Sequence, residues 1–275
     1  MIWRCGMGQM LVLGGDREGN LGRAVQMIDA GRAAGCQVVV LPECLDVGWT
    51  HPAARTLAHP IPGPTSAALC SAARAAGVMV AAGLVEQDGS RLFNAALLIS
   101  STGEILLKHR KINVLTIAQD LYAIGDRLGV VSTPVGTLGL DICADNFPDS
   151  LVLGHALGRM GARCILSPSA WAVPSDHNAS LVPYGALWQH AYGELARLYD
   201  MTIVGVSNVG PLEEGPWAGR RCIGCSLAVG PCGTVLARGP YNTEALIPVE
   251  IPMVPAPARG TAIAPVLRAR GYEGP

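Results

Sequence analysis

Three polar segments of this sequence directly follow apolar runs, at positions where the strands of an α/β protein would end. Glu43 comes after the apolar run 38–41, a basic cluster at 108–111 comes after the run 105–107, and Cys143 comes after the run 138–142. Strand ends are where an α/β fold presents catalytic groups. A partly buried carboxylate could act there as a general base, and a cysteine could act as a nucleophile on an electrophilic carbon.

Each of these residues also has a structural interpretation. A carboxylate at the end of a buried strand is partly desolvated, which raises its pKa, but Glu43 could instead be a solvated loop or N-cap carboxylate. Cys143 alone among the nine cysteines ends an apolar strand with two polar residues on its carboxyl side. We therefore expect an exposed thiol whose thiolate is stabilised by a helix starting near Pro148, with a core cysteine as the alternative. A charge run such as 108–111 is usually a solvated face, and we favour that interpretation for Lys108 and Arg110.

The composition limits the kind of protein that carries these segments. Half of the 275 residues are hydrophobic, 15% are charged, and the formal net charge is −1. These values exclude a disordered chain, a collagen-like repeat and a strongly cationic nucleic-acid binder. We find no apolar run long enough to span a membrane and no convincing secretory signal, so we expect a cytoplasmic protein with no membrane or nucleic-acid partner.

Short apolar runs alternate with amphipathic stretches, which is the order expected of an α/β protein. The pattern predicts helices over 20–34, 65–76, 150–161 and 181–199. It predicts strands over 1–12, 38–41, 78–85, 92–99, 164–166, 202–207 and 222–229, a hairpin from 129–134 and 137–142, and closing strands near Ser226, Val235 and Ala245. We assign 1–250 to one domain, because no linker or repeat interrupts it. The segment 251–275 carries Pro252, Pro255, Pro257 and Pro265, and we expect it to avoid sheet pairing and to pack on the domain or a partner subunit.

The nine cysteines do not predict a disulfide framework, because the number is odd and no signal peptide is evident. Cys222 and Cys225 form one CxxC motif, but no second pair stands at a spacing typical of zinc sites. A metal or redox protein built on this pair remains an alternative. Gly6 and Gly8 lack the third glycine of a dinucleotide-binding motif, and no two of the six histidines stand at a metal-ligand spacing, so we expect no cofactor and no metal.

Three strings together resemble the signatures of a known family. Leu-Pro-Glu stands at 41–43, His-Arg-Lys at 109–111, and Asp-Ile-Cys-Ala-Asp-Asn-Phe-Pro-Asp at 141–149. In order and approximate spacing, these strings resemble the three signatures of the nitrilase, or carbon-nitrogen hydrolase, superfamily. Supporting segments stand where that family has similar ones, at Gln9, Asn20, 92–94, 125–126, 167–171 and 207–210. The resemblance covers roughly residues 2–250.

The resemblance implies an α/β fold built as a four-layer αββα sandwich, in which two central mixed β-sheets are flanked by helices. It also implies a Glu-Lys-Cys triad, here Glu43, Lys111 and Cys143. Cys143 would attack an amide or nitrile carbon, and Glu43 would take the thiol proton and later protonate the departing ammonia. Lys111 and the backbone N–H of Ala144 would stabilise the oxyanion, where one donor contributes on the order of 3 kcal/mol.

The sequence departs from the family pattern between the lysine and the cysteine. Family members commonly carry a second glutamate there, and no Glu occurs between positions 111 and 143. Gln119, Asp120 and Asp126 could stand in, because the expected position falls at 118–120. A smaller departure is Asn113, where a His is frequent. We therefore expect an active enzyme with a remodelled pocket floor in which Gln119 and Asp120 bind substrate.

Further substrate-binding residues are predicted near the cysteine and in the segment after 167–170. Ala144 and Asn146 stand beside the nucleophile, and Trp171 and Tyr184 are candidates for the pocket wall together with Trp188. The alternative for the aromatic residues is a place in a helix core or in a subunit contact.

The residues after the cysteine resemble the amidase and carbamoylase branches of the family more than the true nitrilases. We therefore predict a thiol hydrolase that cleaves a non-peptide C–N bond of a small amide or N-carbamoyl compound through a thioester, releasing ammonia. Nitrile hydrolysis by the same triad and a non-catalytic scaffold protein are the alternatives. The resemblance also implies a homodimer or a larger homo-oligomer.

Overall fold

The structure, a computed structural model, describes residues 2–255 and 269–271. Within these ranges the α-helices are α1 (Arg17–Ala33), α2 (Ala54–Leu57), α3 (Pro64–Ala76), α4 (Val152–Met160) and α5 (Ala186–Tyr199). The strands are β1 (Ile2–Gln9), β2 (Val38–Val40), β3 (Met79–Asp88), β4 (Arg91–Ile99), β5 (Ile105–Arg110), β6 (Val130–Thr133), β7 (Gly136–Leu140), β8 (Cys164–Ser169), β9 (Ala172–Pro174), β10 (Thr202–Ser207), β11 (Val209–Leu212), β12 (Arg220–Ile223), β13 (Leu227–Val229), β14 (Val235–Arg238) and β15 (Ala245–Pro252).

The strands form two six-stranded mixed sheets and one small sheet. The first sheet has the order β15-β1-β2-β3-β4-β5, and the second has the order β14-β13-β10-β8-β7-β6. In each large sheet three adjacent strands run parallel, namely β1, β2 and β3 in the first and β7, β8 and β10 in the second, and antiparallel strands complete both edges. Strands β11, β12 and β9 form the small sheet.

The two large sheets pack face to face between two pairs of helices. Side chains alternate along β2, so that Val38 and Val40 lie in the core shared with the second sheet, while Val39 lies in the core under α1 and α3. Helices α4 and α5 cover the outer face of the second sheet with buried residues such as Leu157 and Leu195. The four-layer αββα sandwich with two central mixed sheets is confirmed.

Local backbone conformation moved several boundaries from their predicted places. Strand β8 continues to Ser169, since Pro168 pairs with Val206 rather than ending the strand. The helix predicted over 181–199 begins only at Ala186, after Gly185 in a left-handed conformation (φ 111°). The strand predicted over 222–229 is broken between β12 and β13, where Gly224 and Cys225 have φ values of 67° and 57°. Between β10 and residue 255, the structure has five strands rather than the three predicted.

The predicted boundary at residue 250 falls inside strand β15. This strand continues to Pro252, which faces Ile2 at the end of the antiparallel ladder with β1. The expectation that Pro252 avoids sheet pairing is therefore wrong. Residues 256–268 and 272–275, including Pro257 and Pro265, lie outside the described residues.

Residues 42–45, which follow β2, are still hydrogen-bonded to β3 although β2 ends at Val40. Gly83 N–H donates to Pro42 O at 3.0 Å, and Leu45 N–H donates to Gly83 O at 2.9 Å. A Cβ atom at position 83 would lie only 2.6 Å from the Cα of Glu43. Glycine is therefore required at this position, because it lets the backbone carrying Glu43 approach β3 closely.

We expect the substitution Gly83→Ala to destabilise the fold by about 1–3 kcal/mol, because its methyl group would push the 42–44 backbone away from β3. The matched control is Gly22→Ala on α1, where no atom lies within 4 Å of the added Cβ. The control should keep or raise stability by up to about 1 kcal/mol, since alanine favours a helix over glycine. Urea unfolding followed by circular dichroism measures both changes. Wild-type stability of Gly83→Ala would contradict the close approach.

Candidate active site

Glu43, Lys111 and Cys143 line one pocket at the carboxyl ends of strands from both large sheets. Glu43 lies three residues beyond the end of β2, Lys111 follows β5 directly, and Cys143 lies three residues beyond the end of β7. The pocket has an empty volume of about 360 Å³. The stacking of the two sheets thus brings a carboxylate, an ammonium group and a thiol to one place.

Glu43 and Lys111 form a buried ion pair. Lys111 Nζ lies 2.6 Å from Glu43 Oε1, and the two residues are only 2% and 1% exposed. Asn94 Nδ2 on β4 donates to the same oxygen at 2.5 Å. Glu43 Oε2, in contrast, has no hydrogen-bond partner in the described part of the chain. The solvated-loop alternative for Glu43 is therefore wrong, and one of its oxygens is available to accept a proton.

The charge of Lys111 is secured by its surroundings. Burial by itself would lower the pKa of this ammonium group, but the negative charges of Glu43 and Asp145 raise the pKa above its ordinary value. Lys111 therefore stays positive throughout the pH range in which the protein would work.

Cys143 occupies a tight turn in a strained backbone conformation. Its φ of 44° lies in the left-handed region, which residues other than glycine rarely adopt. It begins the short 3₁₀ turn Cys143–Asn146, and its N–H donates to Ser167 Oγ at 3.2 Å. Such conformations persist only where the surrounding structure imposes them, and they concentrate at functional sites.

The thiol of Cys143 is buried and protonated in the free protein. Burial raises its pKa to about 12, and the charge of Glu43 acts in the same direction, while Lys111 and the backbone N–H of Ala170 lower the pKa. Its relative exposure is 7%, and the nearest α-helix, α4, begins only at Val152. The expectation of an exposed thiol with a helix-stabilised thiolate is therefore wrong.

Asp145 connects the 3₁₀ turn Cys143–Asn146 to the residues that follow Lys111 at the end of β5 in the other sheet. Its Oδ1 accepts from the backbone N–H groups of Ile112 and Asn113 at 3.1 and 2.7 Å, and its Oδ2 accepts from Ile142 N–H at 3.0 Å. His109 Nε2 lies 2.8 Å from the same Oδ2. Burial alone would raise the pKa of Asp145, but His109 and these N–H groups hold it below its ordinary value.

The basic cluster 108–111 divides between the two faces of β5. Lys108 and Arg110 pair with the carboxylate of Glu86 at 2.6 and 2.7 Å, whereas His109 and Lys111 are buried. The solvated-face interpretation is confirmed for the exposed Lys108, whereas Arg110 is half-buried in its pair with Glu86. Alternation along a strand is the sequence signal that could have identified His109 as an inward-facing partner.

The structure brings together some of the predicted substrate-binding residues. Trp171 and Tyr184 line the pocket, and Ala144 is buried next to Cys143. Asn146 is also buried, but its amide donates to Asp141 Oδ1 at 2.8 Å and Ser167 Oγ at 3.1 Å, so it supports the cysteine turn instead of lining the pocket.

Gln119 and Asp120 are not brought to the pocket. Both are exposed, and Gln119 Nε2 donates to Val114 O at 3.0 Å. The 3₁₀ turn Thr116–Ala118 directs Ala118 inward instead, where it is buried. The expected position of the second glutamate thus holds an apolar side chain, and the exposed Asp126 does not replace it either.

Sequence reasoning missed several pocket residues, namely Trp49, Leu115, Phe147 and Trp217. Phe147 could have been found from its place four residues after Cys143 in the cysteine turn. Trp217 follows no recognisable strand end, and no sequence signal identifies it.

Cys222 and Cys225 are free thiols, and all nine cysteines, which lie within 2–255, are unpaired. Across the described ranges 2–255 and 269–271, no group of three or more His, Cys, Asp or Glu side chains is arranged to hold a metal ion. No helix in those ranges has the length and apolar character needed to cross a bilayer.

The geometry predicts how the thiol responds when its acidic neighbour is neutralised. In Glu43→Gln a repulsive charge is removed and Lys111 loses its counter-ion, so the Cys143 thiol should ionise at a pH lower by about one unit or more. The ultraviolet absorbance of the thiolate against pH measures this change, with the curve of the matching Cys143→Ser protein subtracted. Asp149→Asn, which removes an exposed acidic charge near the turn, is the control and should leave the curve unchanged. An unshifted curve in Glu43→Gln would contradict the described coupling.

Comparison with known proteins agrees with this geometry. The carbon-nitrogen hydrolase family model matches residues 5–256. The chain is 27% identical over 243 residues to the omega-amidase NIT2 of Xenopus tropicalis, covering 84% of this chain and 82% of that protein. It is 31% identical over 239 residues to a nitrilase of Pyrococcus abyssi, covering 84% and 83%.

Solved structures of the same fold include an amidase from Nesterenkonia sp., with a TM-score of 0.76 and 22% identity over 91% of this chain and 90% of that one. A mutant of that amidase shows covalent addition of the acetamide moiety of fluoroacetamide at its active-site cysteine. The family match spans nearly the whole chain, from the first sheet through the cysteine turn to β15. The protein described here belongs to the carbon-nitrogen hydrolase family.

Proposed function

We propose that this protein is a thiol hydrolase that cleaves the non-peptide C–N bond of a small amide or N-carbamoyl compound. The observation that carries the proposal is the convergence of Glu43, Lys111 and Cys143 in one buried pocket. The omega-amidase and amidase relatives support an amide substrate. Ala144, Trp171 and Tyr184 complete the proposed site.

In the first half of the reaction, the free Oε2 of Glu43 accepts the proton of the Cys143 thiol as the sulfur attacks the carbonyl carbon. A C–S bond forms, and the carbonyl electron pair moves onto the oxygen. Lys111 and the backbone N–H of Ala144 stabilise that oxyanion. Asn113 Nδ2 donates to Ala144 O at 2.7 Å and so holds the peptide that follows this N–H. Glu43 then gives its proton to the departing nitrogen, the C–N bond breaks, and ammonia leaves.

The second half releases the acid. Glu43, once more a carboxylate, takes a proton from a water molecule that attacks the thioester carbon. The tetrahedral intermediate collapses, the C–S bond breaks, and the proton returns to the sulfur. The free protein again holds a neutral thiol beside the Glu43–Lys111 pair, which is the state favoured by the raised pKa of Cys143.

Nitrile hydrolysis by the same triad is the second candidate function, and the nitrilase relative from Pyrococcus abyssi supports it. A non-catalytic scaffold role is the third, because the second carboxylate of the family is missing between Lys111 and Cys143. Neither alternative accounts better for a strained cysteine beside a carboxylate oxygen that has no hydrogen-bond partner among residues 2–255 and 269–271.

We expect Cys143→Ala, Glu43→Gln and Lys111→Met each to lower kcat/KM for a small primary amide by about 10³-fold or more, because each removes one participant in the attack. Ammonia release measures the rate. Intact-protein mass spectrometry of the wild-type protein mixed with the amide should show an acyl adduct on Cys143.

The control is Cys70→Ala, which removes a half-buried cysteine on α3 outside the pocket and should keep wild-type activity. Undiminished hydrolysis by Cys143→Ala would exclude the thioester mechanism. A wild-type protein that releases no ammonia from any amide or nitrile and gains no acyl mass would indicate the scaffold role.

We also propose that the chain forms a homodimer or a larger homo-oligomer, as the family resemblance implies. Helices α4 and α5, which cover the second sheet, expose large apolar side chains, with Val152 68% and Leu198 63% accessible. Burying them against a second copy would remove apolar surface from water. We expect sedimentation equilibrium to give at least twice the mass of one chain. A single-chain mass at micromolar concentration would contradict the proposal.

A cytoplasmic location remains part of the proposed function. Its support is the state of the cysteines, since all nine are free thiols and eight of them are buried or half-buried. Free thiols are typical of proteins from reducing compartments.

A further inference from the structure

The pocket around Cys143 holds a large share of the aromatic residues of a chain that has few of them. The whole sequence has five Trp and two Phe, and aromatic residues make up only 5% of it. Four of the five tryptophans and one of the two phenylalanines line this one pocket, together with Tyr184. An aromatic lining of this kind is a recognition surface for an apolar group.

Part of this lining is a preformed stack. The ring centroids of Phe147 and Trp188 lie 5.2 Å apart, and those of Trp188 and Trp171 lie 5.0 Å apart, with interplanar angles of 23° and 19°. Trp188 Nε1 donates to Tyr184 Oη at 3.0 Å, which fixes the fourth ring. These side chains already have their order before a substrate binds, so little entropy is lost when one packs against them.

A second pair of aromatic rings, Trp49 and Trp217, also lines the pocket. Trp49 and Trp217 have centroids 4.9 Å apart. The guanidinium of Arg220 lies 4.7 Å from the centre of the Trp217 ring and is not itself among the residues lining the pocket. The cation of Arg220 thus already occupies a face of Trp217, so a cationic ligand would meet a positive charge on this side of the pocket.

The charges in the pocket leave no partner for an ionised substrate. Among the twelve residues that line it within the described ranges, only Glu43 and Lys111 are charged, and they neutralise each other at 2.6 Å. At the position of the missing glutamate, Ala118 is apolar and buried. A carboxylate on the substrate would therefore be buried close to Glu43 without a free cation, which is costly.

From these observations we infer the substrate class of the site, an inference that rests on the proposed hydrolase function. The preferred substrate is an amide whose acyl group is uncharged and apolar, with a planar aromatic ring or a branched chain that packs on the Trp171–Trp188 stack. Six aromatic side chains already occupy the walls of the pocket, so we limit the acyl group to one ring with a short linker. Monoamides of dicarboxylic acids, with a free carboxylate, are poor substrates.

The experiment compares four primary amides with the wild-type protein by ammonia release. Phenylacetamide presents an uncharged ring, butyramide an uncharged chain, succinamate a carboxylate, and glycinamide an ammonium group. We expect kcat/KM for phenylacetamide to exceed that for succinamate and for glycinamide by about 100-fold or more, with butyramide in between. A kcat/KM for succinamate or glycinamide equal to or above that for phenylacetamide would overturn the inference and leave the hydrolase function intact.

A substitution at the half-buried pocket residue Leu115 provides an independent readout. Leu115→Arg places a cation in the lining and should raise kcat/KM for succinamate by about 10-fold while lowering that for phenylacetamide. Leu115→Met, which keeps an apolar side chain of similar size, is the matched control and should retain the wild-type order of substrates. Thermal unfolding of both variants verifies that they fold.

The two proposals fail in distinguishable ways. If none of the four amides releases ammonia and Cys143 gains no acyl mass with any of them, the hydrolase function itself is wrong. If all four are hydrolysed with kcat/KM values within a few-fold of one another, only the substrate class is wrong.

Discussion

The buried ion pair between Glu43 and Lys111 is the interaction on which the arrangement of the site depends. Removing two charges from water costs several kcal/mol each, and this cost is offset only when the charges meet in good geometry with further hydrogen bonds. Here the 2.6 Å contact and the amide of Asn94 provide that geometry. The pair therefore requires that the segments following β2 and β5 and the middle of β4 keep one fixed register in the first sheet.

The nucleophile comes from the other sheet, so the site also depends on how the two sheets are joined. Asp145 connects the two sheets. Its carboxylate accepts hydrogen bonds from the backbone N–H groups of Ile112, Asn113 and Ile142, and it contacts His109. The left-handed turn at position 143 is held from the opposite side by Ser167 Oγ. A strained turn needs this many constraints, since each sparsely populated conformation costs on the order of 1–3 kcal/mol.

Much of the architecture follows from local pattern, because parallel strands buried on both faces appear as short apolar runs such as 38–40. Glu43 and Cys143 became candidates because strand ends carry function, but only the resemblance of their strings to family signatures favoured catalytic over structural roles. The sequence could not predict which side chain of 118–120 points into the protein, because a three-residue 3₁₀ turn is what directs Ala118 inward. The burial of the thiol was equally out of reach, because it depends on tryptophans distant in sequence, and Trp217 is the clearest example.

The protonated state of Cys143 has a consequence for the chemical durability of the protein. Oxidants such as hydrogen peroxide react with thiolates far faster than with thiols, and they convert them first to sulfenic and then to irreversibly oxidised acids. A buried thiol with a pKa of about 12 offers such reagents almost no thiolate. The burial of Cys143 thus shelters the sulfur atom on which the proposed mechanism depends.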